Sequence, residues 1–238
     1  MSVADEILRI QQAKSDLATS IAAKGVTVPS ATTIDGYAAL VDQIQTGGSY
    51  PSIVEIEYLE SYGTQYIDTK IKPDSNTGIK AYVYNLSSSD LYILGQRNDS
   101  GNTRWIIGHN PSSGFYMGYG DYAHWKPAMP LDEAVVTLNY NNDKKFTVTS
   151  GSAYREMALS SSLSFTPAYN IKLFGYYGYN ASNWTGRMYY VKVTQGSTLT
   201  LDLIPVRIGQ FGYMYDKVSG VLFGNAGSGN FILGPDVT

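Results

Sequence analysis

The stretch "IVEIEYL", residues 53–59, alternates Val54, Ile56 and Tyr58 with Glu55 and Glu57. Successive side chains of a β-strand point to opposite faces, so this alternation predicts a strand with one buried and one exposed face. Similar short runs follow along the chain, separated by turn-forming residues. They cover residues 79–86, 91–96, 104–109, 135–140, 145–150, 171–176, 188–193 and 199–204. Many short strands without alternating helical patterns predict a mainly β fold, an antiparallel sandwich or barrel.

Residues 1–49 have a different composition from the rest of the chain. Of the 31 aromatic residues (7 Phe, 3 Trp and 21 Tyr), only Tyr37 precedes Tyr50. Apolar residues at helical spacing predict one helix over residues 4–23 and a second, shorter one over 33–44. The sequence therefore predicts two domains, a helical module with a linker in residues 1–49 and a β-sandwich in residues 50–238.

The helical module has two interpretations. The apolar stripe of the first helix, at Ile7, Ile10, Leu17 and Ile21, is a narrow seam about two heptads long, and isolated helices of this length are marginal in water. The helices either pack together as a hairpin on their own domain or form an oligomerising or docking stalk. We favour the stalk, because the stretch "QTGGSYPS" at 45–52 is typical of a linker.

Charge and composition exclude several classes of partner. The net charge is −3 with scattered Lys and Arg residues, which argues against a nucleic-acid ligand. The chain contains no Cys, so disulfides, thiolate metal sites and a Cys nucleophile are excluded. No basic segment followed by an apolar run stands at the N-terminus, and no run reaches the roughly 20 apolar residues of a membrane span. We therefore expect neither export by a visible signal nor membrane insertion.

The sequence offers little for catalysis. A glycosidase needs two carboxylates that face one bond, but Glu55 and Glu57 lie on the exposed side of their predicted strand. Asp132 and Glu133 are adjacent and would point to opposite faces. His109 lacks a partner at metal-ligand spacing, as does His124, and no G-x-S-x-G nucleophile elbow is present. Turn formation explains "NDSGN", residues 98–102, better than calcium binding does. We predict no catalytic residue, no metal and no cofactor.

Two long motifs resemble a known family. The segments 57–79, "EYLESYGTQYIDTKIKPDSNTGI", and 201–237, "LDLIPVRIGQFGYMYDKVSGVLFGNAGSGNFILGPDV", are similar to the opening and closing segments of jelly-roll domains of concanavalin or laminin-G type. Such domains occur in phage and prophage tail proteins and in some gut-bacterial surface proteins. "LFG" at 173–175 and "GRMYYVKV" at 186–193 match a strand, a loop and a strand of that family. Residues 13–44 also resemble a helical module of phage tail proteins.

The resemblance implies a location and partners. A phage tail protein of this kind resides in the virion, contacts other tail or baseplate proteins, and recognises a glycan or protein on the host cell surface. Tail fibres that resemble this chain are commonly threefold, so the resemblance implies a homotrimer assembled through the N-terminal module.

Aromatic residues among turn residues are the candidates for ligand binding. Tyr, Ser, Gly and Asn make up antibody loops, where Tyr supplies rigid contact area and a hydroxyl, and a sugar suits the same groups. Three segments have this composition, residues 98–105, 115–125 and 175–184, whereas Tyr82, Tyr84, Tyr140 and Tyr189 fit the packing of strands. The predicted ligand-binding residues are Arg104, Trp105, Tyr119, Asp121, Tyr122, His124, Trp125, Tyr176, Tyr177, Tyr179, Asn180, Asn183 and Trp184.

From these observations we expect a lectin-like receptor-binding protein of a phage tail. The alternatives are a structural virion subunit, whose aromatic residues are buried against neighbouring subunits, and a glycan hydrolase.

Overall fold

A computed structural model describes residues 3–22, 26–43, 52–89, 91–98, 103–120, 122–125, 132–159, 168–178 and 182–237, with residues 42–43 and 122–125 described by their backbone alone. The chain forms two compact units, Met1–Ser52 and Ile53–Thr238. The predicted domain boundary after residue 49 falls outside the described residues and stays a prediction.

The first unit contains two helices, α1 at Val3–Ala22 and α2 at Gly36–Gln43. Its small core consists of Ile21, Val26, Tyr37 and Leu40. The predicted stripe of α1 is therefore divided. Ile21 is buried inside the unit, whereas the other three apolar residues of the stripe are exposed, at 50% for Ile7 and 42% each for Ile10 and Leu17. In the part of the chain that the structure describes, no helix has the length and apolar character needed to cross a membrane.

The second unit consists of strands. The alternating runs of the sequence form most of them, because each run can bury one face and expose the other. In chain order the strands are β1 Val54–Glu55, β2 Leu59–Tyr62, β3 Ile67–Asp68, β4 Thr77–Asn85, β5 Leu91–Arg97, β6 Arg104–Asn110, β7 Gly114–Gly120, β8 Tyr122–Trp125, β9 Glu133–Leu138, β10 Lys145–Ser150, β11 Ala153–Ala158, β12 Lys172–Leu173, β13 Tyr177–Gly178, β14 Thr185–Gln195, β15 Thr198–Ile208, β16 Phe211–Asp216, β17 Leu222–Phe223 and β18 Ile232–Leu233.

These strands form two sheets. The large sheet has the order β11-β10-β9-β4-β14-β15-β16-β17, with β2 beside β14, β18 beside β2, and β1 beside β15. The small sheet has the order β3-β12-β5-β6-β7-β8, with β13 beside β5. All described pairs are antiparallel except that of β13 with β5.

One hydrophobic core joins the two sheets. Ile79, Ala81 and Val83 of β4 contribute to it from the large sheet, and Trp105 and Ile107 of β6 contribute from the small sheet. Since the inner faces of both sheets supply one continuous core, the unit is a β-sandwich. The predicted mainly β, antiparallel sandwich preceded by a helical N-terminal region is confirmed.

Candidate ligand-binding surface

The three aromatic segments of the sequence converge at one end of the small sheet. Gly178 lies beside Arg97 in the parallel pair of β13 with β5, Arg97 lies opposite Arg104, and Arg104 lies opposite Gly120. The connection from β5 to β6, the connection from β7 to β8, and the chain that follows β13 therefore leave the sheet at the same end. We call this region the loop end.

The structure corrects four of the predicted ligand-binding residues. Trp105 and Trp184 are fully buried, Tyr119 is 1% exposed and Tyr176 is 3% exposed, so none of these rings forms an open binding surface. The indole N–H of Trp184 donates to Asn85 Oδ1 at 2.8 Å. The polar atom of Trp184 is thus satisfied inside the protein, as expected of a buried indole.

An irregular backbone explains the burial of Phe174, Tyr176 and Trp184. Phe174 has φ of 62° and Gly175 has φ of 144°, so the strand alternation ends there. The Gly175 N–H donates to the Ile93 carbonyl at 2.7 Å, and the Trp184 N–H donates to the Phe174 carbonyl at 2.8 Å. The Phe174 and Trp184 rings then stack inside the core, with centroids 6.1 Å apart. Loss of alternation in this segment thus means burial on both faces of the chain.

The other predicted residues divide into those the structure describes and those it does not. Tyr177 and Arg104 are half-buried at the loop end, and Asn183 is half-buried too. Tyr179, Asn180 and Asp121 lie outside the described residues, and of Tyr122, His124 and Trp125 only the backbone is described. These nine residues stay predictions.

Tyr177 belongs to a small aromatic group around a lysine. Its ring meets that of Tyr66 edge to face at 5.8 Å, and the Lys172 ammonium lies 4.2 Å from the Tyr66 centroid and 5.1 Å from the Tyr177 centroid. Burial lowers the pKa of Lys172 to about 8 and raises the pKa of Tyr177. The cation–π contacts offset part of the cost of burying the ammonium.

A second aromatic group lies on the outer face of the large sheet. It consists of Tyr58, Tyr82, Tyr84, Tyr189 and Arg187, which we call the outer tyrosine cluster. All five side chains are half-exposed, whereas Ala81, Val83 and Met188 on the same strands point into the core. Tyr82, Tyr84 and Tyr189 do pack, as predicted, but against neighbours on the outer face of the sheet and not in the core. Their alternation is real, but the aliphatic residues occupy the buried face.

A β-bulge in β14 increases the number of aromatic rings on this surface. Met188 lies opposite Val83 and Tyr190 lies opposite Tyr82, so Tyr189 is an extra residue between two ladder positions. A bulge redirects side chains locally. Here it leaves the consecutive residues Tyr189 and Tyr190 both half-exposed, and both rings contact Tyr82, with centroids 4.3 Å and 6.0 Å away respectively.

Ring contacts and ion pairs fix the geometry of the cluster. The Arg187 guanidinium lies 4.4 Å from the Tyr58 centroid and 5.7 Å from the Tyr84 centroid. Its Nε donates to Glu60 Oε2 at 2.6 Å. The Tyr58 ring meets Tyr189 edge to face at 5.6 Å. Because strands carry all of these side chains except that of Tyr58, which lies between β1 and β2, most of the surface is held in place before any ligand binds.

The hydroxyls and charges of the cluster are suited to hydrogen bonding. The Tyr82 hydroxyl donates to the Glu133 carboxylate, which raises the pKa of Tyr82 to about 12, and burial raises the pKa of Tyr189. Both phenols are therefore neutral at physiological pH and offer O–H groups. Glu60 and Glu133 offer acceptors and Arg187 offers donors. Their formal charges, +1 and −2, sum to −1.

The sequence contained a signal for this surface. In "IKAYVYNL" the two faces are Ile79, Ala81 and Val83 on one side and Lys80, Tyr82 and Tyr84 on the other. The first face is purely aliphatic, and the second carries a lysine. A lysine is almost never fully buried unless it is paired, so its position marks the solvent side of the strand.

Comparison with known proteins shows only the fold. No protein-family model matches the chain, and no curated protein matches it. A solved structure from Bacteroides ovatus, described as a candidate carbohydrate-binding protein, is similar with a TM-score of 0.52 and 14% sequence identity. The similarity covers 78% of this chain but 62% of that protein's chain, so this chain spans less than two thirds of that protein.

Proposed function

We propose that this protein is a phage or prophage tail receptor-binding protein whose β-sandwich recognises a glycan of the host cell surface through the outer tyrosine cluster. The observation that carries the proposal is the group of half-exposed tyrosines, one arginine and two glutamates on neighbouring strands of a rigid sheet. The similarity in fold to a candidate carbohydrate-binding protein supports glycan binding. The end motifs of the sequence support the tail assignment.

The chemistry of the cluster favours an uncharged glycan. Sugar rings combine apolar C–H faces with a rim of hydroxyls, and the tyrosine rings and phenolic hydroxyls match both. Glu60 and Glu133 accept hydrogen bonds from sugar hydroxyls, and Arg187 donates to ring or hydroxyl oxygens. With a local charge of −1, the surface repels carboxylated or phosphorylated sugars.

The loop end is the alternative location for the same function. Tyr177 and Arg104 lie there, and the predicted residues Tyr179 and Asn180 follow Tyr177 in the chain. Burial of the two tryptophans removes the largest rings from this location. The outer tyrosine cluster is therefore our first choice.

A hydrolytic function finds little support. Glu60 and Glu133 are separated by three strand-to-strand steps, from β2 through β14 and β4 to β9. At about 4.8 Å per step this is roughly 14 Å. The two carboxylates of a glycosidase lie at most about 9.5 Å apart.

Weak single sites explain the proposed homotrimer. One shallow sugar site binds with a Kd near 1 mM, about −4 kcal/mol. Several copies on one particle raise the avidity by roughly 10² to 10⁴. The exposed residues Ile7, Ile10 and Leu17 of α1 offer an apolar seam for assembly or for docking to other tail or baseplate proteins.

Sedimentation should show a trimer, and a variant with Ile10→Lys and Leu17→Lys should sediment as a monomer.

A binding assay with purified full-length chain tests the glycan proposal. We expect saturable binding to a neutral host polysaccharide on an array, and we expect Tyr82→Ser with Tyr189→Ser to weaken it at least about tenfold, or about 1.4 kcal/mol. Tyr154→Ser is the matched control, because Tyr154 is an exposed tyrosine on β11 that contacts none of the cluster.

Three outcomes would contradict the proposal in different ways. Loss of binding in Tyr177→Ser, but not in the cluster variant, would move the site to the loop end. Absence of binding to every glycan and to host cells would favour a structural virion subunit. Release of reducing sugar from host envelopes would favour a hydrolase.

A further inference from the structure

A cavity of about 270 Å³ lies between the start of β16 and the loop of residues 224–231. None of the described residues that line it belongs to the outer tyrosine cluster or to the loop end. Tyr213 and Phe211 of β16 form one wall, and Gly224, Asn225 and Asn230 of the loop form much of the other.

Hydrogen bonds hold the loop in one shape. Asn225 Oδ1 accepts from the backbone N–H groups of Tyr66 at 3.1 Å and Gly227 at 2.8 Å, and Asn225 Nδ2 donates to the Gly229 carbonyl at 2.8 Å. The loop is also tied to the turn between β2 and β3. There the Ser228 N–H donates to the Thr64 carbonyl at 3.1 Å, and the Thr64 hydroxyl donates to the Ser228 carbonyl at 3.0 Å. A cavity wall fixed in this way needs little ordering when a ligand binds.

The glycines of the loop have two separate roles. Gly229 has φ of 71°, and a Cβ on Gly227 would lie 2.1 Å from the Thr64 carbonyl oxygen, so these two positions require glycine for the path of the chain. Gly224 has no left-handed φ, and a Cβ there would meet the Tyr213 ring at 3.4 Å. The backbone does not demand glycine at position 224. With glycine at position 224, no side chain from this position covers the Tyr213 ring.

The walls of the cavity combine rings with neutral polar groups. Tyr213 and Phe211 are two residues apart on one strand, so their rings lie on the same face of the sheet. Phe211 is 55% exposed, so its ring is accessible to a ligand in the cavity. Asn230 is exposed at the opposite wall. Among the described lining residues none carries a charge, so the cavity offers no counter-ion to a charged ligand.

We propose that this cavity is a second binding site, which takes a single uncharged pyranose residue, with the sugar ring against Tyr213 and Phe211 and its hydroxyl or acetamido groups toward Asn230 and the loop backbone. Its volume is below the roughly 300–1,000 Å³ of pockets for drug-sized ligands, and this size suits one ring and not an oligosaccharide. The proposal goes beyond the proposed function and stands on residues that the outer tyrosine cluster does not use.

Titration of the full-length chain carrying Tyr82→Ser and Tyr189→Ser, which impair the outer tyrosine cluster, with methyl glycosides of glucose, galactose, mannose and N-acetylglucosamine tests the site. We expect saturable binding of at least one probe in the millimolar range by saturation-transfer NMR. Tyr213→Ala should weaken binding at least about tenfold, since it removes the ring that the sugar contacts. Gly224→Leu should weaken it similarly by filling the cavity, and Phe211→Ala should weaken it less.

Two controls keep the result independent of folding and of the proposed function. Tyr154→Ala alters an exposed tyrosine on β11, outside both proposed sites, and should leave binding of the methyl glycosides unchanged. The urea unfolding midpoint of Tyr213→Ala should stay close to that of the wild type, so that lost binding reflects a lost contact. Absence of saturable binding for all four probes would overturn the proposal. Binding that survives both Tyr213→Ala and Gly224→Leu would overturn it too.

Discussion

The outer tyrosine cluster and the segment 172–184 use similar residues for opposite purposes. Tyr82 and Tyr84 lie on a regular strand and Tyr189 lies at the bulge of β14, yet all three are on the outer face because Ala81, Val83 and Met188 occupy the inner positions. Phe174 and Trp184 belong to an irregular stretch rich in glycine and asparagine, yet they are fully buried. Irregular backbone and polar neighbours therefore do not identify an exposed ring in this fold.

The difference has a physical cause. A regular strand has only two faces, so rings on the outer face are exposed whatever their size. An irregular segment can turn consecutive side chains in several directions, and its backbone groups still need partners. For Gly175, Tyr176 and Trp184 those partners are the carbonyls of Ile93, Ser182 and Phe174, and the rings of Phe174 and Trp184 are held inside the sandwich.

The largest expected effect distinguishes a core residue from a binding residue. Trp184→Ala should lower the free energy of unfolding by about 3–5 kcal/mol, because it leaves a cavity and removes the shorter of the two hydrogen bonds that Asn85 Oδ1 accepts. Urea denaturation measures the change. Tyr84→Ala in the outer tyrosine cluster is the matched comparison, and it should cost less than about 1 kcal/mol. A stable Trp184→Ala variant with impaired adsorption would restore Trp184 to the binding surface.

A glycine beside Trp184 gives the next effect. A Cβ on Gly186 would lie 2.2 Å from the indole of Trp184, so Gly186→Ala should displace the ring and cost about 1–3 kcal/mol. Gly224→Ala serves as control, since its Cβ would make only an ordinary contact with Tyr213 at 3.4 Å and the position has no left-handed φ. Equal unfolding midpoints for the two variants would show that the indole is not tightly packed.

Lys172 makes the stability of the buried segment depend on pH. The pKa of Lys172 is about 8 in the folded protein, against an ordinary value of 10.5. Between these two pH values the unfolded chain binds more protons than the folded one, so the free energy of unfolding rises with pH. From pH 8 to 10, Lys172→Met should remove up to about 1–3 kcal/mol of this rise, because tyrosine ionisation affects both variants alike. Unfolding midpoints across this range measure it. Lys72→Met, at an exposed position, should leave the slope unchanged, and an unchanged slope in Lys172→Met would refute the assignment.

The smallest effect concerns the outer tyrosine cluster. Glu133→Gln removes the charge that holds the proton on the Tyr82 hydroxyl, so the pKa of Tyr82 should fall from about 12 toward 10. Stability should change by less than about 0.5 kcal/mol, because both groups lie at the surface. An ultraviolet titration of the tyrosines follows the shift. Glu57→Gln is the control, and identical titrations for the two variants would show that the bond between Tyr82 and Glu133 does not form in solution.

Local pattern predicted the fold well and the site poorly. Alternation in runs such as residues 79–86 identified the strands, and the absence of intervening helical patterns identified an antiparallel sandwich. The same alternation could not show which face of β4 is buried. The core holds the small aliphatic residues of this strand, and its tyrosines lie on the outer face. The lysine at position 80 was the better guide to the solvent side. The convergence of three loops at one end of the small sheet required strand order, which no local pattern contains.

By itself the sequence determined the period of each element, the change from helix to strand between residues 44 and 53, and the neutral, aromatic character of the β-sandwich. These follow from side-chain chemistry and spacing within a few residues. Only the tertiary structure decided which rings meet solvent, how a bulge places Tyr189 and Tyr190 beside Tyr82, and where a glycine-rich loop leaves a cavity beside Tyr213. Those features depend on contacts between residues far apart in the chain, because the burial of a side chain is set by the strand or loop that packs over it.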